Sequence, residues 1–539
     1  MRCVFPRLIR RWIDDAKGVC TGLRSERSMM RLRYSLLGAF VFCMAAHAFA
    51  YFNFAPIHDG VNYVSSFAGI WEVSLGRFMQ PTYGKLHGEY TMPWFSGMLS
   101  MLYIGIAAFL VNDLFEVDNR WLALMTAGFL SANATMTCMT MVFPYVSDAL
   151  AMALLLACAG AYAVIRMPNP VGMLLAGGCF AAAMGLYQSY ALVGGLLLVL
   201  YAMLQAVSDR KVFAHQARSW LYYAGAVVLT AVLYGAAFRL LLIHYQAEVA
   251  PVTSYNSPAR LASLDWRSFP EQIRKAYESF AGYFFGEHGV RLTPIQQGDI
   301  GLFALSGVLF VAYAVKERLP VPNVLLIAAG ALLFPGAALA VSILTQDEKI
   351  YFLTAHALFL MYPALLSMLE RLRFSAKDGQ SIRLFARSRV LRACVFVLCG
   401  CILFGNIRYS NEMYTYRSAQ YDKTISFITR LMERIDSVPE YERNETEVVL
   451  VGYTSAGLSN LKAPKGWEWM GGLYITSITY PQVLRSFAHM MGEQMNISLD
   501  DSEEMRYASM EAVKAMPCFP SPECCRMIDG KLVVKLTEY

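Results

Sequence analysis

Charge is what this chain of 539 residues has little of: only 16% is Asp, Glu, Lys or Arg, against about a quarter in soluble globular proteins. With 56% hydrophobic residues, too little polar surface remains to cover a water-soluble fold. Histidine is scarce too, at 8 residues, and none sits beside the C-terminal cysteines. Short-period repeats and low-complexity tracts are absent, which excludes a solenoid or a linker-dominated chain. Nor does the formal charge of +6 point to nucleic acid. The excess sits in residues 1–34 and 371–389, where anionic lipid and membrane insertion explain it.

What the sequence does have is long apolar runs. A bilayer core about 30 Å thick needs roughly 20 mainly apolar residues per helix, and lipid leaves only helices or closed barrels able to satisfy the backbone. The runs are 35–52, 94–112, 121–143, 145–166, 170–187, 189–207, 219–243, 299–316, 321–345, 350–370 and 390–408. They predict an all-α polytopic membrane protein with about eleven transmembrane helices. A basic 34-residue segment precedes the first run and no small-residue cleavage site closes it, so it is expected to be a span and not a signal peptide.

Loop charge orients the spans. Residues 1–34 hold nine Lys/Arg against three Asp/Glu, so the N-terminus is expected in the cytoplasm. Arg210, Lys211, Arg218, Lys316, Arg318 and the basic loop 371–389 then fall inside. The loops 53–93 and 244–298 and everything after 409 fall outside. The loop 113–120 dissents, with Asp113, Glu116 and Asp118 against Arg120, but acidic residues weigh little in this rule.

Three parts follow: a basic N-terminal segment (1–34), a membrane body (35–408) with outer loops 53–93 and 244–298, and an extracytoplasmic domain (409–539). The last reads as a small α/β unit. Its strand signals are 447–452 and 531–536, the second after the turn Asp529-Gly530; 480–493 and 502–515 read as helices. In the outer loops, Phe67, Ile70, Trp71, Val73, Leu75 and Phe78, and again Phe269, Ile273, Tyr277 and Phe280, are spaced for amphipathic surface helices. Of the twelve cysteines, Cys518, Cys524 and Cys525 lie together in the outside domain. One disulfide from Cys518 to Cys524 or Cys525 is expected there, leaving one thiol over; zinc is the rival reading.

Ionisable residues near span ends are candidates for chemistry, because charge at membrane depth is costly and usually faces a cavity. His58-Asp59, Arg77, Asp148, Gln188 and Arg239 all map to the outer rim, as do His244 and Gln346-Asp347-Glu348-Lys349. Each has a bland alternative. Asp148 can cap its helix, Arg239 can snorkel to headgroups, Asp59-Gly60 is a turn signal, and Arg77 can pair with a lipid phosphate. His356, inside a span, reads as a hydrogen-bonded core histidine.

The stretch Pro56-Ile57-His58-Asp59-Gly60, followed by Trp71-Glu72-Val73-Ser74-Leu75-Gly76-Arg77-Phe78, resembles the first outer loop of bacterial and phage O-antigen glucosyltransferases. These are the serotype-converting enzymes grouped with GT-C type glycosyltransferases. Tyr145 to Asp148, Leu186-Tyr187-Gln188 and the tail from Met516-Pro517-Cys518-Phe519-Pro520 to Leu536 are similar as well. The sequence departs from the family where a second acidic residue often accompanies the loop aspartate.

The resemblance implies transfer of a hexose, typically glucose, from a polyprenyl-phosphate carrier to a lipid-linked O-antigen or related surface glycan at the outer face of the bacterial inner membrane. Asp59 is then the candidate general base. Arg77 and Arg239 are candidate phosphate clamps, Asp148 and Gln188 would bind sugar hydroxyls or orient the base, and His58 would bind substrate. No cofactor or metal is predicted, although some relatives use a divalent cation at the loop carboxylate. A donor-forming synthase and a flippase are the implied partners. The competing readings are a lipid or glycan flippase, another envelope transferase (mannosyl or aminoarabinosyl) or ligase, and a scaffold for the outer domain. The rim position of the charges and the lack of an internal repeat count against a transporter.

Overall fold

The computed structural model describes residue 15 and residues 17–538, apart from 57–58, 65–68, 89, 255–256, 287–292, 347–349, 376–380, 454–459 and 471–480. Among the described residues, eight helices are long and apolar enough to cross a membrane. They are α1 (Glu26–Phe52), α2 (Pro93–Leu114), α5 (Ser147–Arg166), α7 (Tyr190–Ser208), α8 (Val212–Tyr245), α10 (Thr293–Lys316), α11 (Val321–Ala338) and α13 (Arg389–Asp436). Helices α3 (Arg120–Ser131), α4 (Ala134–Val142), α6 (Pro170–Leu186), α9 (Phe269–Phe284) and α12 (Met361–Arg371) complete the main set.

The difference from eleven lies in three places, and each has a local cause. The run 121–143 is not one straight helix: α3 and α4 meet at a 45° bend. Asn133 makes the break stable, because its carboxamide donates to the Phe129 and Leu130 carbonyls, both at 3.0 Å, while its oxygen accepts from Met136 N–H at 3.0 Å. One side chain thus serves the end of one helix and caps the next. The run 170–187 gives α6, 17 residues long, capped by Asn169 with Pro170 in its first turn. The run 350–370 forms two 3-10 turns, Phe352–Thr354 and His356–Leu360, before α12. Irregular backbone at this depth is tolerated only when protein covers it. Residues 352–360 are all buried, and Thr135 Oγ1 donates to the Phe352 carbonyl at 2.6 Å.

Helices α1, α2 and α3 pack closely. A Cβ on Gly38 would lie 2.6 Å from the Leu124 carbonyl and 2.9 Å from Ala127 Cβ, so this crossing requires glycine. Polar ties inside the bundle add specificity: His47 Nδ1 lies 2.6 Å from the Tyr414 hydroxyl and Nε2 lies 3.0 Å from the Ser131 carbonyl, linking α1, α13 and α3. Helix α8 buries little of itself and exposes Leu221, Val228, Val232, Leu240 and Ile243, the surface that lipid would cover.

Two sets of contacts define the two ends of the bundle. At one end Arg31 and Arg166 meet Asp113, and Arg383 meets Asp118. The acidic loop that dissented in the charge count is therefore neutralised by arginines of its own end. At the other end Gln80 Nε2 donates to the Leu186 carbonyl at 2.7 Å and Ala250 N–H to Ser74 O at 3.0 Å.

Among the described residues the loop 53–93 holds three short helices, Asp59–Asn62, Ile70–Ser74 and Gln80–Gly84, in place of one surface helix; Phe67 lies outside the described residues. Val73, Leu75 and Phe78 are buried, while Ile70 and Trp71 stay exposed. The loop 244–298 contains the expected amphipathic helix, α9.

Helix α13 runs for 48 residues, roughly 72 Å at 1.5 Å per residue, and carries the chain from the bundle into the tail. There β1 (Val448–Val451) pairs parallel with β3 (Lys531–Lys535), and β2 (Cys525–Ile528) pairs antiparallel on the far side of β3. Asp529 and Gly530 both take positive φ, 52° and 77°, as a tight hairpin turn demands. Helices Pro481–Met490 and Asp501–Ala508 flank the sheet. Leu450, Leu532, Val534 and Leu484 pack with Ile428 and Leu431 of α13. The expected disulfide is not formed. Cys518, Cys524 and Cys525 are free thiols, with the Cys524 and Cys525 sulfurs 3.6 Å apart and Cys518 Sγ donating to Glu538 Oε1 at 3.4 Å.

Candidate functional site

Asp148, Arg77 and Gln188 fall into two neighbouring clusters against the loop 53–93. The first surrounds Asp148, in the first turn of α5 and completely buried. A carboxylate is favoured there by the helix dipole, yet its partners come from the loop. Tyr83 Oη donates to Asp148 Oδ2 at 2.8 Å, and His87 Nε2 lies 2.7 Å from the same oxygen. Burial, then the Asp148 charge, push the Tyr83 phenol well above its ordinary pKa, so it remains a donor. Asp148 Oδ1 is buried and has no hydrogen-bond partner among the described residues. A carboxylate oxygen left bare in this way is an acceptor awaiting a donor.

The second cluster forms around Gly76-Arg77. The φ of +79° at Gly76 and the close approach of Tyr234 Oη, 2.3 Å from where a Cβ would sit, exclude other residues. Gln188 Nε2 donates to the Leu75 carbonyl at 2.6 Å and approaches Tyr234 Oη at 3.3 Å, while Tyr234 Oη donates to Gly76 O at 3.1 Å. The Arg77 guanidinium sits over the Tyr187 ring, 4.7 Å from its centroid. Its Nε is buried without a hydrogen-bond partner, and among the described residues it forms no ion pair. Met79 N–H donates to Gly185 O at 2.9 Å, fixing this loop on the end of α6.

From this second cluster an apolar groove of about 490 Å³ runs between α7 and α8, lined at its polar end by Tyr187, Gln188 and Tyr234 and deeper by Leu192, Val199 and Val227. Tyr190 to Val199 is roughly 14 Å of helix.

His58 and the Asp59 side chain lie outside the described residues. The backbone of their segment is placed: Gly60 stands against Val142 O and Pro144, 3.5 and 3.6 Å from an ideal Cβ, just before the start of α5. Tyr63 stacks on Tyr145 with centroids 4.2 Å apart and donates to Glu72 Oε1. The structure thus seats the 59–62 segment just before the helix that carries Asp148, and brings the Gly76-Arg77 turn together with Gln188. It does not bring Arg239 to either cluster; that side chain is exposed on α8, as snorkelling would have it. His356 is a core residue, 3.4 Å from the Tyr190 hydroxyl through Nδ1. Residues 347–349 lie outside the described residues, and Gln346 Nε2 binds the Asp265 carbonyl at 2.9 Å.

Sequence reading missed Tyr83, His87, Glu72 and Arg417. Glu72 is buried and holds Tyr63 and the Gly69 N–H. Arg417 is buried on α13, donates to the Ala55 carbonyl just before the Asp59 loop, and leaves Nε and Nη1 without partners. Only Glu72, within the quoted motif, carried any signal. Among the described residues no group of three or more His, Cys, Asp or Glu side chains could hold a metal ion; Asp148 and His87 meet as a pair.

No curated protein and no solved structure matched the chain. The profile of the family described as glucosyl transferase GtrII matches residues 48–368, more than half of the chain. The matched stretch begins within α1, ends in α12, and contains both rim clusters and the apolar groove. The chain therefore belongs to the glucosyl transferase GtrII family and is a glycosyltransferase.

Proposed function

We propose that the protein transfers glucose from a polyprenyl-phosphate carrier to a lipid-linked O-antigen or related glycan at the outer face of the bacterial inner membrane. The observation that carries this reading is the apolar groove whose polar end, at Tyr187, Gln188 and Tyr234, adjoins Arg77, which stacks on Tyr187 and forms no ion pair among the described residues. A long isoprenoid fits a lipid-facing apolar groove, and a guanidinium fork matches phosphate oxygens. The family match supports glucosyl transfer in O-antigen modification. The basic residues collected at the opposite end of the bundle favour a cytoplasmic location for that end, which leaves the site outside.

In this reading the acceptor hydroxyl attacks the sugar's anomeric carbon, and the bond from that carbon to the phosphate oxygen breaks. The phosphate monoester leaves with the electron pair, and the hydroxyl proton passes to Asp59. General-base help of this kind is worth roughly 10²–10⁴-fold. Arg77 receives the phosphate charge, the free Oδ1 of Asp148 accepts from a sugar hydroxyl, and Gln188 and Glu72 hold the loop in place. A sugar-loaded carrier at the outer face requires a donor-forming synthase and a flippase to supply it.

The test is transfer of labelled glucose from polyprenyl-phosphate glucose to lipid-linked glycan in permeabilised membranes, comparing the wild type with Asp59→Asn at equal expression. Label in the glycan with the wild type alone supports the reading. Transfer by both proteins removes Asp59 as the base, and transfer by neither argues for another donor.

A further inference from the structure

Helix α5 carries Asp148 at its start and Arg166 at its last residue, roughly 27 Å apart. At the Arg166 end, where α2 also terminates and α1 begins, lies a polar cavity of about 860 Å³. Among the described residues, six arginines and five acidic side chains line it, and the two sets differ in how they are engaged.

The acids are committed to the protein. Asp113 accepts from Ser28 at 2.6 Å, Arg31 at 2.7 Å, Tyr162 at 2.9 Å and Arg166 at 3.1 Å. Asp118 accepts from Arg31 and Arg383, and Glu116 lies 3.4 Å from Arg371. Glu370 accepts the Asp118 N–H at 3.1 Å, and Asp15 accepts from Asn169 at 2.8 Å.

The guanidiniums are not all committed. Each offers five N–H donors. Arg373 has no carboxylate partner among the described residues, the Arg166 Nε is buried without a hydrogen-bond partner, and Arg27 approaches Asp118 no closer than 3.8 Å. The cavity therefore holds surplus donors and few free acceptors, the condition for taking up an anion. Its volume falls within the roughly 300–1,000 Å³ of small-molecule sites, far more than a halide needs, and guanidinium forks match phosphate oxygens two at a time.

We propose that this cavity is a second binding site, separate from the glycosyl-transfer site, for a phosphate ester: either a phospholipid headgroup or a soluble organic phosphate. Isothermal titration calorimetry on the full chain in an uncharged maltoside detergent tests it. The probes are glycerol 3-phosphate and, in mixed micelles, dioleoyl phosphatidylglycerol, with dioleoylglycerol as the lipid lacking phosphate. Arg373 is exposed and has no carboxylate partner among the described residues, so Arg373→Ala keeps the fold; Arg166→Gln is the second variant. Loss of one charge-assisted hydrogen bond weakens binding by about tenfold or more.

Glycerol 3-phosphate binding that weakens about tenfold in Arg373→Ala supports the site and identifies a soluble ligand. The same loss seen only with phosphatidylglycerol supports the site and identifies a lipid. Absence of binding by both phosphate probes overturns the proposal. So does binding that neither variant weakens, or dioleoylglycerol binding as tight as that of phosphatidylglycerol.

Discussion

Replacing Arg77 should separate function from stability. The guanidinium forms no ion pair among the described residues, and its Nε is buried without a partner, so its donors are free for a ligand. Two bonds to a phosphate, at about 1.5–3 kcal/mol each for charged partners, amount to about 3–6 kcal/mol, or roughly 10²–10⁴-fold in kcat/KM. Arg77→Ala should lose that much. Arg77→Lys, which keeps the charge but not the fork, should lose roughly half of it on the energy scale. Folding should not suffer in the same way. The cation–π contact with Tyr187 contributes about 0.5–2 kcal/mol, and removing an unpaired, partly buried charge returns a comparable or larger amount. The melting temperature of Arg77→Ala in detergent should therefore be no lower than that of the wild type. The assay is kcat/KM for polyprenyl-phosphate glucose alongside a thermal melt of the same preparations. A variant with wild-type kcat/KM and a clearly lower melting temperature would refute the reasoning, because Arg77 would then be a structural residue.

Gly76→Ala should cut transfer activity, since its Cβ would fall 2.3 Å from Tyr234 Oη at a φ of +79°; adding Tyr234→Phe should restore part of the activity by removing that oxygen. Asn133→Ala should cost about 2–4 kcal/mol, from a lost helix cap and two orphaned carbonyls, and Asn133→Asp, which keeps the cap acceptor, should melt between the variant and wild type. Stability should fall in acid through Asp118. Partial burial alone would raise its pKa, but the Arg383 hydrogen bond and the charges of Arg383, Arg31 and Arg27 hold it below the usual carboxylate value. A pKa depressed on folding gives stability that is present above the unfolded value of about 3.9 and lost as pH falls through the folded value. Melting curves between pH 5 and pH 3 should show this decline, less steeply in Asp118→Asn, and equal slopes would contradict it.

The main helices were legible because each is written locally: twenty or so apolar residues between polar segments satisfy their own backbone. The Asp529-Gly530 turn was equally local. The breaks at Asn133 and across 350–360 were not, because apolarity is the same on both sides of a bend. What holds the second break is Thr135 reaching the Phe352 carbonyl, 217 residues away. The free thiols of Cys518, Cys524 and Cys525 were misread for a similar reason, since nearness along the chain does not set the orientation that a disulfide needs.

The site divides along the same line. Sequence alone determined that this is a helical membrane protein with a small mixed tail, that its rim carries isolated ionisable residues, and that Gly76-Arg77 and Asp148 are among them. Only the tertiary structure decided which of these meet: His87 with Asp148 across 61 residues, and Gln188 with the Gly76 loop across more than a hundred. It also left Arg239 facing outward and placed Arg417 behind the Asp59 loop, 362 residues from the carbonyl it holds. The physical reason is range. Burial of a helix is set by its own residues, whereas a side chain's partner depends on how separate helices pack, and no periodicity records that.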